Sequence, residues 1–275
     1  MSTSLTLMAV LAHPDDETLG CGGSLARYSD EGVETHVLTA TRGQSGRHGE
    51  GGHPGREALG WIRETEEREA AGELGVSDVR FLDYVDGELD RADPGEAVAG
   101  IVAHLRRVRP QVVLTFAPDG AYGHPDHIAV SQLTTAAAVR AADPGCEAPG
   151  DPHAVAKLYY MAWGATTWDA YQRAFKTLVS RVDGVERRAA PWPEWAITTR
   201  VDCRRWWPRV WRAVTCHRTQ MLIYGALEEL REEDHAALWG RQTFYRAFST
   251  VNGGREVETD LFEGLRPTLG QGAAR

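Results

Sequence analysis

Positive charge, cysteine and long apolar runs are all in short supply in this chain, and each shortage excludes something. Lys and Arg total 30 against 39 Asp and Glu, a net charge of −9. That argues against a general binder of nucleic acid or of anionic membrane. The four cysteines (Cys21, Cys146, Cys203 and Cys216) are scattered, with no CxxC pair and no framework spacing. They read as reduced, mostly buried thiols of an intracellular protein. No segment approaches the ~18 consecutive apolar residues of a membrane span. The N-terminus has no basic n-region, and its short apolar stretch runs directly into charge. The expectation is a cytoplasmic protein without a membrane span.

What is present is enough to fold. Hydrophobic residues make up 42% of the 275 positions and charged residues 25%, the balance of a globular chain with a sizeable core. The length suits one large α/β domain or two small ones. The first half alternates strand and helix signals. Strands are expected at 5–12, 33–40, 79–84 and 111–118, with helices at 18–32, 62–76, 95–110 and 126–142 between and after them. Such alternation implies βαβ units, a parallel sheet and right-handed crossovers, hence a Rossmann-like doubly wound α/β fold. Two segments break the rhythm. Residues 41–60, rich in glycine and polar side chains, read as a long loop, functional or disordered. Residues 143–153 read as a Pro/Gly hinge. Beyond it, strands are expected at 157–163 and 195–203 and a helix at 206–220, with a loose tail past 265.

Two motifs carry chemistry. "AHPDDE" (12–17) follows the first apolar strand and "AYGHPDH" (121–127) the fourth. Open α/β sheets bind ligands at the carboxyl ends of their strands, and in the common 3-2-1-4 order strands one and four are neighbours. The two clusters then meet and supply His13, Asp15, Asp16, Glu17, His124, Asp126 and His127. Imidazole and carboxylate together suit zinc or a similar divalent metal, with three protein ligands and one position for water. Taken singly, each motif also suits a plain capping role, the histidines bracing their turns and the aspartates serving as helix N-caps. "GCGG" (20–23) does not form G-x-G-x-x-G, and carboxylates at that turn would repel a pyrophosphate.

The pair "AHPDDE" and "GHPDH" resembles the LmbE-like (PIG-L) family of zinc-dependent N-deacetylases, which includes N-acetylglucosaminyl deacetylases and mycothiol-conjugate amidases. The resemblance covers most of the chain, with lesser pieces in "TRG" (41–43), Arg63 and Glu66, Asp86–Gly87 and "HRTQ" (217–220). It implies one domain over 1–275, a core with the metal site in 1–150 and a completion of sheet and pocket in 151–275. It implies His13, Asp16 and His127 as ligands of Zn2+, with Fe2+ the other metal to consider. It implies Asp15 as general base, and His124 as the imidazolium that steadies the oxyanion or protonates the leaving amine. Asp126 would orient and charge that histidine, and Tyr122 would stand near the oxyanion. Arg42, Arg63 and Asp86 match positions that touch the sugar, and the family often forms homo-oligomers.

The residues themselves temper some of these roles. Arg63 lies on a charge-rich helix, where an ion pair with Glu66 or Glu67 on a solvated face competes with a ligand contact. Glu17 sits behind the ligands or caps the helix beginning near Thr18. His48 and His53, in a flexible loop, read as surface histidines, and the loop as a substrate rim. His217 lines the pocket or serves the core. The tryptophans, Trp192, Trp195, Trp206, Trp207 and Trp211 among them, are favoured as core over sugar-stacking platforms. The expected activity is zinc-dependent hydrolysis of N-acyl amides, foremost N-deacetylation of a small N-acetylglucosamine-type sugar or glycoside. The alternatives are an amidase of a larger thiol conjugate and a non-catalytic sugar- or nucleotide-binding module.

Overall fold

A computed structural model describes residues 4–48, 52–175, 179–182, 184–188 and 190–266. The first strand, β1 (Thr6–Leu11), is buried at all positions, as a strand covered on both faces must be. The chain continues through α1 (Asp16–Asp30), β2 (Glu34–Thr41), α2 (Arg56–Leu74), β3 (Asp78–Tyr84), α3 (Pro94–Val108) and β4 (Val112–Phe116). A single turn, α4 (Gly120–Gly123), then precedes α5 (Pro125–Arg140) and β5 (Lys157–Met161). β1 pairs in parallel with β2 and β4, β2 with β3, and β4 with β5. The doubly wound reading holds, and the strand order reverses between β1 and β4.

The second half adds α6 (Ala165–Phe175), a hairpin of β6 (Val179–Val182) and β7 (Val185–Arg188), then β8 (Thr199–Asp202) and α7 (Trp207–Cys216). It ends with α8 (Met221–Tyr224), α9 (Glu232–Trp239) and β9 (Arg241–Ser249). The full sheet runs β3-β2-β1-β4-β5-β9-β8. β9 is antiparallel to both of its neighbours, so an otherwise parallel sheet is closed by a reversed strand inserted inside it.

Several expected boundaries move. α1 begins at Asp16 rather than near Thr18, so both acidic residues lie in its first turn. α2 begins at Arg56, so residues 56–60 of the expected glycine-rich loop are helical; Gly60 is tolerated in the helix because the Arg42 stem packs against it. The strand expected at 195–203 is only β8, since Glu194–Ala196 forms a 3-10 turn. The helix expected at 206–220 breaks at His217, leaving α7 and α8. Trp195 is 85% exposed and not core, whereas Trp206, Trp207 and Trp211 pack on the core and Trp239 lies inside it. The tail expected to be loose falls, from 267 on, outside the described residues.

The glycines of "GCGG" serve packing. A Cβ on Gly20 would lie 2.6 Å from Met161 Sδ, and one on Gly23 would lie 2.8 Å from Cys203 Cβ. Their absence lets α1 press onto the end of β5 and onto the segment after β8. That close seat fixes the N-terminus of α1, and with it the first motif. Among the described residues no helix is long and apolar enough to cross a membrane.

Candidate active site and metal centre

Past β1 the backbone turns sharply. Asp15 has φ 101°, the left-handed region that a non-glycine residue rarely occupies, and such outliers cluster at functional sites. Its N–H donates to Glu17 Oε2 at 2.9 Å, and its carbonyl accepts from Thr18 Oγ1 at 2.8 Å. Asp15 holds the N-cap position of α1, yet its side chain makes no capping bond. Its Oδ2 instead accepts from Arg63 Nη2 and from the Tyr224 hydroxyl, both at 2.9 Å. The capping role open to this aspartate is therefore refused. Asp16 Oδ2 accepts from the His13 N–H at 2.8 Å, which folds its carboxylate back over the turn.

The second motif is built differently. After β4, His124 caps α5: its Nδ1 accepts the Asp126 N–H at 3.2 Å, and Pro125 takes the first helical position. One turn in, the His127 ring stacks on Phe116 with centroids 3.9 Å apart. His127 Nε2 then lies 3.2 Å from His13 Nδ1 and 3.5 Å from Asp16 Oδ1, and Asp16 Oδ2 lies 3.7 Å from His13 Nδ1. Donors bonded tetrahedrally to zinc at ~2.0 Å would be about 3.3 Å apart. The three expected ligand groups lie at spacings of that order, Asp16 facing the two rings through different oxygens. The compact ligand groups among the described residues are His13 with His124 and His127, and His13 with Asp86 and Asp126.

Behind His13 lies a second carboxylate group. His13 Nε2 is 3.1 Å from Asp126 Oδ2 and 3.2 Å from Asp86 Oδ1. Asp126 Oδ2 also accepts from Gly87 N at 2.8 Å, and its Oδ1 from Leu89 N at 3.2 Å. Asp126, expected to brace His124, braces His13. A carboxylate on the far nitrogen of a ligand imidazole fixes its tautomer and raises its basicity.

Charge follows the same geometry. Burial alone would lower the His13 pKa, but Asp126, Asp86 and Asp16 outweigh it and raise it to about 10. Burial pushes His127 well down, helped by His13. Burial and the His13 charge lower His124 to about 4, against Asp126 and Asp86. The lowered pKa favours a neutral His124 over the imidazolium that the resemblance implies, and with Nδ1 accepting, the proton of the neutral ring sits on Nε2. Burial raises Asp16 to about 7; for Asp86 burial is opposed, and together outweighed, by the bond to His13, the His13 charge, the Ser45 N–H and Arg63, which hold it below its usual range.

Other expected residues fall as follows. Tyr122 sits with its ring 5.3 Å from that of His127. Arg63 is 4% exposed and donates to the Pro14 and Gly43 carbonyls as well as to Asp15, so the solvated pair with Glu66 or Glu67 is absent. Arg42 is engaged by Glu64 at 2.5 Å and by Asp83, and lies over Trp61. Asp86 Oδ2 accepts the Ser45 N–H at 2.8 Å and ties the segment after β2 to the site. His217 is fully buried, 2.7 Å from Glu17 Oε1. Among the described residues, neither His48 nor His53 joins a compact ligand group. Tyr224 escaped sequence reading because nothing marks it in the stretch "MLIYG".

Similarity to known proteins agrees with this geometry. Residues 8–138 match the family model "PIG-L: GlcNAc-PI de-N-acetylase". A 1D-myo-inositol 2-acetamido-2-deoxy-alpha-D-glucopyranoside deacetylase of Streptomyces avermitilis is 35% identical, over 95% of this chain and 97% of its own length. Among solved structures, the N,N'-diacetylchitobiose deacetylase of Pyrococcus horikoshii superposes with TM-score 0.64 at 20% identity, covering 89% of this chain and 84% of that one. The 4-carboxy-2-hydroxymuconate hydratase of Pseudomonas putida KT2440 gives TM-score 0.67 at 19% identity, covering 91% and 99%. Those two share a fold and differ in reaction, so at that distance the likeness speaks for architecture alone. The sequence relative, matched nearly end to end, is decisive: the chain belongs to the PIG-L family of deacetylases, hydrolases of N-acetyl amides.

Proposed function

We propose that the protein removes the acetyl group from N-acetylglucosamine carried on a small polyol or similar aglycone, giving acetate and a free amine. The relatives support this reading over an amidase of larger conjugates and over a non-catalytic module. His13 Nδ1, Asp16 and His127 Nε2 would hold zinc, which when bound polarises an amide carbonyl and acidifies a water. Asp15, anchored by Arg63 and Tyr224, takes the proton of the attacking water and passes it to the nitrogen as the C–N bond breaks. His124 offers its Nε2–H to the tetrahedral oxyanion, and Tyr122 stands beside it; one such donor is worth about 3 kcal/mol. Asp86 and the 42–48 loop form the sugar rim. We read the enzyme as cytoplasmic, supported by Cys21, Cys146 and Cys203 being buried free thiols.

The observation that carries the proposal is the convergence of three ligand-type groups within 3.2–3.7 Å beside an aspartate withheld from capping. The test is amine release from an N-acetylglucosaminyl inositol by zinc-loaded protein and by Asp15→Asn. The variant is expected to keep its zinc and lose roughly 10²–10⁴-fold in rate. Near-normal turnover by Asp15→Asn would remove the base assignment.

A further inference from the structure

We infer that His217 is a positioning residue for the hydrolysis, acting through Glu17 to hold Asp15 in its working conformation; this rests on the reading of Asp15 as the base. Asp15 occupies an N-cap position, where an aspartate ordinarily turns its carboxylate onto the helix N–H groups. That conformer is the natural competitor of the active one. The observed backbone, φ 101°, is unfavourable by about 1–2 kcal/mol for a residue with a Cβ. What opposes relaxation is the Glu17 carboxylate, which holds the Asp15 N–H at 2.9 Å.

Glu17 in turn has one side-chain partner on its other oxygen. His217 Nε2 lies 2.7 Å from Glu17 Oε1, and both side chains are wholly buried. The ring sits at the end of α7, on a segment fixed independently: Glu66 accepts from the Thr219 N–H at 2.9 Å and from its hydroxyl at 2.6 Å. His217 therefore holds Glu17 from a segment that Thr219 ties to α2. Its other ring nitrogen, Nδ1, is buried without a hydrogen-bond partner. Leaving a buried polar atom unsatisfied costs about 1–3 kcal/mol. An apolar side chain would avoid that loss, so the histidine is better explained by the bond at Nε2 than by packing. The two sides of Asp15 are thus held separately, the backbone by Glu17–His217 and the carboxylate by Arg63 and Tyr224.

The test compares His217→Gln, which keeps a donor for Glu17, with His217→Leu, which removes it, in zinc-loaded protein. His217→Gln is expected within about threefold of wild-type kcat. His217→Leu is expected to lose on the order of 10- to 100-fold in kcat, as a misplaced catalytic group does, with KM and zinc content unchanged. Should His217→Leu fail to fold because Glu17 is left unpaired, the double variant Glu17→Met/His217→Leu removes both polar partners and is expected to show the same kcat loss. Wild-type kcat in the folded variant overturns the inference. So does an equal loss in His217→Gln, or a loss that merely follows zinc content. An active Asp15→Asn enzyme would instead remove the reading beneath it, whereas an inactive Asp15→Asn beside a fully active His217→Leu removes this inference alone.

Discussion

Asp126→Asn separates the brace seen here from the one the sequence suggested. Asp126 is fully buried and accepts three bonds, from His13 and Gly87 on Oδ2 and from Leu89 on Oδ1. Asparagine offers one acceptor oxygen. If that oxygen faces His13, an NH2 opposes the Leu89 N–H; if it faces Leu89, an NH2 opposes His13. In the first case a negative charge and one hydrogen bond are lost; in the second a negative charge and two, those of His13 and Gly87. A bond to a charged group is worth about 1.5–3 kcal/mol, and Asp86 Oδ1, 3.2 Å from His13 Nε2, remains as a substitute acceptor. The expected effect lies at the lower end, roughly 10–100-fold weaker zinc binding. Competition against a chelator of known affinity measures it. In the metal-free protein the His13 pKa should fall from about 10, because the strongest of the contacts raising it is gone. Unchanged zinc affinity together with a collapsed rate would refute the reasoning and return Asp126 to His124.

Three further outcomes are expected. Tyr224→Phe removes one of the two side-chain donors on Asp15 Oδ2 and should lower kcat by roughly 10–100-fold while zinc content stays at wild type; equal turnover would show that Arg63 alone suffices. Glu258→Gln strips the charge facing Lys157 (2.6 Å) and Arg246 (2.8 Å) in a buried cluster, and denaturant melts should show a loss of about 3–5 kcal/mol. Although burial opposes ionisation of Glu258, Lys157, Asn252, Tyr159 and Thr199 lower its pKa from 4.5 to about 2. Its contribution is therefore complete above pH 4.5 and lost as pH falls toward 2, so wild type but not Glu258→Gln should lose this increment of stability over that window.

How much was legible depended on how local the physics is. Strands β1 and β4 announce themselves as apolar runs because both of their faces are buried, and the two motifs stand out because ligand-type residues crowd strand ends. β9 carries no such signal, because arginines and polar residues interrupt the apolar positions of "RQTFYRAFS"; Arg246 is accommodated inside only because Glu258 meets it. Arg63 illustrates the same limit. Helical spacing pointed to Glu66 and Glu67, but Glu66 holds Thr219 and Glu67 accepts from Thr39, leaving the arginine to Asp15. The partner of Asp126 likewise depends on where the turn after β3 passes, which no spacing within either motif reveals.

The reversed strand has a consequence for how the molecule comes into being. Among the described residues β9 is the last strand in chain order, yet it lies between β5 and β8, so β8 has no edge to join until β9 has been synthesised. The residues that steady Asp15 from the far side, His217 and Tyr224, arrive in the same late stretch. A nascent chain halted before them would already carry both histidine motifs while lacking the two partners that hold Glu17 and the Asp15 carboxylate.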